Sequence, residues 1–370
     1  MSRFCFCRVL PGLVHYGRSV FRNVVAPMFF LLLSGGAMFL ATSCEKALMN
    51  EGSTSPVSTF DYLWQRVDEQ YSMFDVKGVD WCAVYDSLRP KVYEEMEDDS
   101  LFAVCAAMLN CLDDGHVNLV APFDASRSIA VHRRFFAESG IDVNCVVLNY
   151  LGVGYHSTGG VAYGSLCNGK VVYVYYGSFS SGVSEAGLRR IVAMYPDAQG
   201  MILDIRGNGG GDLSNVVRLL GVMRSEGQML YSSQIKAGAA HDCFTELVPT
   251  YAPVNKDEGF GLPVAVLVDR GCFSAASTFA IATQAYDNMF LMGDTTGGGL
   301  GLPTMGTLPN GWLYRFSITR TIALDGKNYE NGVPPDILLK FDREAASTLG
   351  RDNIIDSACA LITNYGSSIR

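Results

Sequence analysis

The sequence predicts an α/β protein with a largely parallel sheet and a helical N-terminal part. Three observations carry that expectation. Four apolar runs, "KVVYVYYGSF", "GMILDIRG", "PVAVLVDR" and "NMFLMGDTT", are separated by segments with helical spacing near 184–195, 213–224 and 274–286. Strands covered on both faces read as unbroken apolar runs, and strands that alternate with helices build parallel sheets. Residues 60–112 show no such alternation and place Phe60, Leu63, Trp64, Val67 and Tyr71 on one helical face. The chain has 370 residues, 49% apolar and 18% charged, which suits a folded protein of up to two domains.

Taken in order, the N-terminus reads as a targeting segment. Arg3, Arg8, Arg18 and Arg22 precede the apolar run Ala26–Ala41, which is short for a membrane span and interrupted by Gly35 and Gly36. The run ends in "LATSC", where small residues before Cys44 resemble a bacterial lipobox. The expectation is a signal peptide over 1–43, a lipid anchor at Cys44 and a flexible tether over 44–59. A helical domain follows over 60–115, with Ser100 as N-cap of its third helix. The α/β core then spans 116–370. It starts with a strand at "HVNLVAP", passes through a Gly-rich stretch over 120–170 assigned to no element, and continues with the alternating runs. "GWLYRFSITRTIAL" reads as one longer strand, and "ENGVPPDILL" closes the core.

Charge and cysteines exclude several classes. Loss of 1–43 removes four Arg and no acid, leaving 24 basic against 37 acidic residues, a net −13. That argues against nucleic acid or anionic lipid as a partner. Of 11 Cys, Cys5 and Cys7 leave with the signal and Cys44 is the anchor. The other eight form no C-x-x-C pair and read as buried thiols, with neither a disulfide framework nor a metal site.

Chemistry concentrates in three stretches. In "PVAVLVDRGCFSAASTFAIATQ" a buried strand turns into a helix that opens at Ser274. A hydroxyl there has the positive end of the helix beside it, and the N–H of Ala275 is placed to hold an oxyanion; taken alone, the stretch fits a plain helix cap better. His116 sits between a helix that stops at "DDG" and the strand "HVNLV", either as a base or as a ring that satisfies the helix C-terminal carbonyls. His132, His156 and His241 read as surface or loop residues. In "GMILDIRGNGGGDLSNV" four Gly follow a buried strand, so a Gly amide could complete an oxyanion hole. A dinucleotide fingerprint fails there, because Asp212 occupies its last Gly position.

The segments "DDGHVNL", "LDIRGNGGG", "VLVDRGCFSAASTFA", "GDTTGGGLGLP" and "ENGVPPDI", in this order over 113–337, resemble the serine peptidases of the C-terminal processing (tail-specific) and tricorn type. The resemblance implies a crotonase-like core, a ββα superhelix, behind a small N-terminal helical domain. It also implies peptide-bond hydrolysis through an acyl-enzyme without metal or cofactor. By position, Ser274 matches the nucleophile, Ala275 and Gly210 the oxyanion donors, His116 the tricorn-type base and Glu330 its acid. Two departures stand out: Gly299 occupies the place of the C-terminal processing branch's Lys base, and Gly115 that of the tricorn relay Ser. Residues 120–170 are fewer than the roughly 80–100 that a PDZ domain needs, so none is expected.

The leading expectation is therefore an exported, lipid-anchored serine peptidase acting on peptide or protein substrates, at the periplasmic or cell-surface side. An inactive ligand- or peptide-binding lipoprotein on the same fold is the alternative, since relatives of this core such as interphotoreceptor retinoid-binding proteins bind apolar ligands. A crotonase-type acyl-CoA enzyme is disfavoured by export and by the negative charge.

Overall fold

The computed structural model describes residues 53–126, 140–152, 154–256 and 259–368. The chain divides into two compact units, Met1–Thr54 and Ser55–Arg370. The expected signal segment, Cys44, most of the tether and His132 lie outside the described residues. Among the described residues no helix is long and apolar enough to cross a membrane.

The second unit begins with α1 (Pro56–Gln70), α2 (Phe74–Lys77), α3 (Trp81–Leu88) and α4 (Asp98–Asn110). Ser55 caps α1 by accepting the Ser58 N–H, with Pro56 in the first turn, where its missing N–H is not needed. Helix α4 starts earlier than Ser100: Glu97 is the N-cap and Asp98 and Asp99 fill the first turn. Acids there complement the helix dipole, which outweighs a hydroxyl cap two residues later. Strand β1 (Asn118–Val120) follows, then a helical turn Val143–Cys145 that runs into a π-helical Val146–Leu151.

The next elements are β2 (His156–Thr158), β3 (Val161–Leu166), β4 (Val171–Tyr176), α5 (Glu185–Ala193), β5 (Gly200–Asp204) and α6 (Leu213–Leu220). Then come β6 (Ser225–Glu226), β7 (Met229–Ile235), β8 (Val248–Tyr251), β9 (Val254–Asn255), β10 (Val264–Val268) and α7 (Ala275–Ala282). The chain ends with β11 (Met289–Gly293), β12 (Pro303–Thr307), β13 (Leu313–Ser317), β14 (Thr319–Ile322), β15 (Ile337–Leu338), α8 (Arg343–Leu349) and α9 (Asn353–Ser368).

A seven-stranded sheet, ordered β15-β11-β10-β5-β4-β3-β2, forms the centre. Strands β4, β5, β10, β11 and β15 run parallel, and β2 and β3 add an antiparallel edge. Alternate residues serve opposite faces. Val172, Val174, Leu203, Val266 and Val268 pack with α5, α6 and α7, whereas Tyr173, Ile202, Ala265 and Leu267 pack with Ile354, Ile355, Ala358 and Ile362 of α9. Both faces are covered, which is why these strands carry no polar alternation.

The N-terminal helices do not close a core by themselves. Phe60, Leu63, Trp81, Phe102 and Met108 share one apolar cluster with Leu119 of β1 and with Trp312, Tyr314 and Phe316 at β13. The single long strand expected over 311–324 is two strands in two sheets. β13 pairs with β1 and β12, while β14 pairs with β7. The switch falls at Ile318, whose N–H donates to Leu302 and whose carbonyl accepts from Lys236, both distant in sequence.

Eight cysteines in the described residues are free, but Cys82, Cys111, Cys167 and Cys243 are exposed rather than buried. Cys82 lies on an amphipathic helix, Cys111 caps the end of another, and Cys167 and Cys243 lie at turns, so neighbouring apolar residues do not fix a residue's own burial.

Candidate active site

The carboxyl ends of β5 and β10 lie side by side in the sheet, the place where open α/β sheets present ligand sites. The loop 207–211 leaves β5, and Ser274 follows β10. Cross-links hold these loops together: the Phe273 N–H donates to Asn208 O (3.0 Å) and Cys272 Sγ to Ile205 O (3.0 Å). The Gly207 N–H donates to Asp269 Oδ1 (2.8 Å). Below the loop, the Arg206 guanidinium is fully buried between Asp204 (2.5 Å) and Asp352 (2.9 Å), and it also donates to the Gly140 carbonyl (2.8 Å). The Asp and Arg of "LDIRG" are therefore a buried ionic support beneath the site.

Ser274 caps α7 with φ 56° and ψ −120°. A non-Gly residue at positive φ is strained, and such strain persists only where surrounding contacts fix it. Here the Ser274 N–H donates to Gly298 O (2.9 Å), and Ser274 O accepts the Thr278 N–H (2.9 Å). Ala275 is the first residue of α7, a position whose N–H has no intrahelical acceptor. Gly210, at φ +96°, packs directly on this turn: a Cβ there would lie 2.6 Å from Phe273 O and 2.8 Å from Ser274 Cβ. The Gly210 N–H itself donates to Asn208 Oδ1 at 2.9 Å.

His116 arrives from the α4–β1 turn. Its ring is 5% exposed, tilts against Phe273 at 4.8 Å and places Nε2 3.2 Å from Ser274 Oγ. With the ring hydrogen on Nδ1, Nε2 accepts from the hydroxyl. Among the described residues Nδ1 has no hydrogen-bond partner. Burial holds the imidazole below its ordinary value; the charge of Asp114 opposes this, and Arg315 and Lys77 add to it.

Glu330 is also buried, but its carboxylate faces the Gly-rich loop. Its Oε2 accepts the N–H groups of Leu300 (2.7 Å) and Gly301 (3.0 Å), and Oε1 lies 3.9 Å from Lys77 Nζ. Burial, reinforced by the charge of Asp114, pushes Glu330 up to about 8. The loop 297–301 wraps tightly around this acid: a Cβ on Gly298 would lie 1.9 Å from Glu330 O. Gly299, where a Lys base would stand, donates its N–H to the same carbonyl (3.0 Å).

The structure thus brings Ser274, His116, Ala275 and Gly210 to one place, with Glu330 behind them and bonded to other groups. His241 lies elsewhere, stacked on Phe74 and 2.9 Å from Asp68, and His156 is on β2. Two participants were missed from sequence. Lys77 comes from α2 and donates to Asn331 beside Glu330 (2.9 Å). Asp114 is buried and accepts the His116 backbone N–H; the spacing Asp-Gly-His was a local signal for it, because an Asp side chain readily accepts the N–H two residues on. Among the described residues no cluster of His, Cys, Asp and Glu is arranged to hold a metal.

Comparison with known proteins gives the family. The model of peptidase family S41 matches residues 170–339, which carry Gly210, Ser274 and Glu330, and the tricorn protease C1 domain model matches residues 56–110. The carboxy-terminal processing protease CtpA of Bacillus subtilis is 26% identical over 141 residues, 38% of this chain. The match spans only 28% of that relative's length. Among solved structures, a candidate peptidase from Parabacteroides merdae is 36% identical with a TM-score of 0.78, covering 83% of this chain and 96% of that one. The photosystem II D1 C-terminal processing protease shares the fold at a TM-score of 0.51 and 17% identity, covering 77% of this chain and 93% of that one. A family model that spans the nucleophile-bearing loops, together with 36% identity across nearly the whole of a solved peptidase-like chain, leads to one assignment: this chain belongs to peptidase family S41.

Proposed function

We propose that this chain is a serine peptidase that hydrolyses peptide bonds through an acyl-enzyme, on a crotonase-like core. The observation that carries the reading is the 3.2 Å approach of His116 Nε2 to a Ser274 hydroxyl held at positive φ. A neutral imidazole, kept neutral by burial, takes the hydroxyl proton as Ser274 Oγ bonds to the substrate carbonyl carbon. The Ala275 N–H receives the developing oxyanion. Gly210 supplies the second donor by exchanging its bond to Asn208 Oδ1 for one to the oxyanion as substrate arrives. The imidazolium then gives its proton to the leaving amine as the C–N bond breaks. Water, deprotonated by His116, releases the acyl group and restores the hydroxyl. Glu330, neutral below about 8, anchors the Gly-rich loop behind the base.

We further propose that the chain is exported and tethered to a membrane through lipid on Cys44. The small residues before that Cys and the arginines ahead of the apolar run support this.

A fluorophosphonate probe tests the chemistry. Wild-type protein should be labelled at one serine, Ser274→Ala should abolish labelling, and His116→Ala should slow it by at least ~10²-fold. Absence of labelling across pH 5 to 9 in folded wild-type protein would refute the reading. Palmitate incorporation in cells, lost in Cys44→Ala, tests the anchor.

A further inference from the structure

An acid that this reading does not use sits directly beside the base. Asp114 is fully buried two residues before His116. Its Oδ1 accepts the His116 backbone N–H at 2.7 Å, and its Oδ2 accepts the hydroxyls of Tyr71 (3.1 Å) and Ser317 (3.0 Å). Tyr71 follows α1 and Ser317 ends β13, so three separate parts of the chain converge on one carboxylate. All three donors are neutral. They fix the carboxylate's place without cancelling its charge.

We infer that Asp114 is the positioning residue of His116, fixing the backbone that carries the ring and supplying the negative charge that stabilises the imidazolium. The inference rests on the reading of Ser274 and His116 as nucleophile and base. The other charged groups facing the ring are Lys77 from α2 and Arg315 from β13, and both disfavour the imidazolium. Asp114 is the group that opposes them. Glu330 is committed to the Leu300 and Gly301 amides and to Lys77. Tyr71 is held well above the ordinary phenol range, first by burial and then by Asp114, so it stays a donor to the carboxylate.

Asp114→Asn keeps the shape and one oxygen for the His116 amide while removing the charge. Two readouts are needed: the pH dependence of Ser274 labelling by an uncharged fluorophosphonate, and the NMR titration of the His116 ring in a Ser274→Ala background. The expected result is a downward move of about one pH unit in both the acid limb and the ring titration. The plateau labelling rate should fall roughly tenfold or more. Unmoved titration overturns the inference, even when labelling is slower, because a packing role alone would slow labelling without moving the ring's titration. Should Asp114→Asn fail to fold, Ser317→Ala serves instead. Removing one donor leaves the carboxylate charge less spread and moves both curves upward; unmoved curves there again overturn it. The ring titration needs no activity, so unlabelled wild-type protein would sink the peptidase reading while leaving this test to be decided on its own.

Discussion

The substitution Glu330→Gln separates two roles for a buried acid. Glu330 is 1% exposed and is pushed from 4.5 to about 8, mostly by burial and further by the charge of Asp114. The folded chain therefore keeps a proton at Glu330 that the unfolded chain releases between those two values. Stability is fully present below about 4.5, falls as pH rises through the window to about 8, and levels off above it. At ~1.4 kcal/mol per unit, the full span is at most about 5 kcal/mol. Gln keeps an oxygen for the Leu300 and Gly301 amides and cannot titrate. Its stability relative to wild type should therefore rise with pH, by a few kcal/mol between pH 5 and 8.5. Urea unfolding of both proteins at several pH values measures the difference, which belongs to Glu330 together with the neighbours its charge touches, Asp114 and Lys77.

The same variant speaks to catalysis. An acid already neutral at pH 7 loses no charge on becoming Gln, so fluorophosphonate labelling should slow by less than about tenfold. An ionised third member of a triad would instead cost ~10⁴-fold. A stability difference that does not change with pH, or a loss of labelling of about a thousandfold or more, would refute the assignment of Glu330 as a protonated anchor.

Two further perturbations follow from the loops that hold the nucleophile. Gly210→Ala puts a methyl 2.6 Å from Phe273 O and 2.8 Å from Ser274 Cβ at φ +96°, so it should slow labelling by ~10²-fold and lower stability by about 1–3 kcal/mol; a wild-type rate would show that the turn relaxes freely. Arg206→Met leaves Asp204 and Asp352 buried without their cation and should cost about 3–5 kcal/mol in urea unfolding, partly recovered by adding Asp204→Asn; a cost under 1 kcal/mol would mean that water reaches these acids.

What the sequence made legible was local. The runs at β4, β5, β10 and β11 are apolar because both sheet faces are covered, and that cause acts within each run. Ser274 was readable because a buried strand, a short turn and a helix meet at one residue, and His116 because it sits where a helix stops and a strand begins. The unreadable parts depend on partners far along the chain. The strand over 311–324 divides because Leu302 and Lys236 hold Ile318 between two sheets. Asp114 owes its place to Tyr71 and Ser317, which lie 43 and 203 residues away.

Glu330 shows why this distinction matters for mechanism. Its position in a motif and its residue type both point to an anionic partner for the base. Whether a carboxyl is ionised depends on its surroundings, however, and here burial and the charge of Asp114 favour the proton, outweighing Lys77 of α2 and the Leu300 and Gly301 amides, which oppose it. Asp114 raises Glu330 and opposes the lowering of the His116 ring, so the two acids do not act alike. Asp114 is the acid that receives neutral donors and accepts the His116 backbone N–H. Sequence motifs thus singled out Ser274 and His116, while the contacts of the two acids were set by the tertiary packing around them.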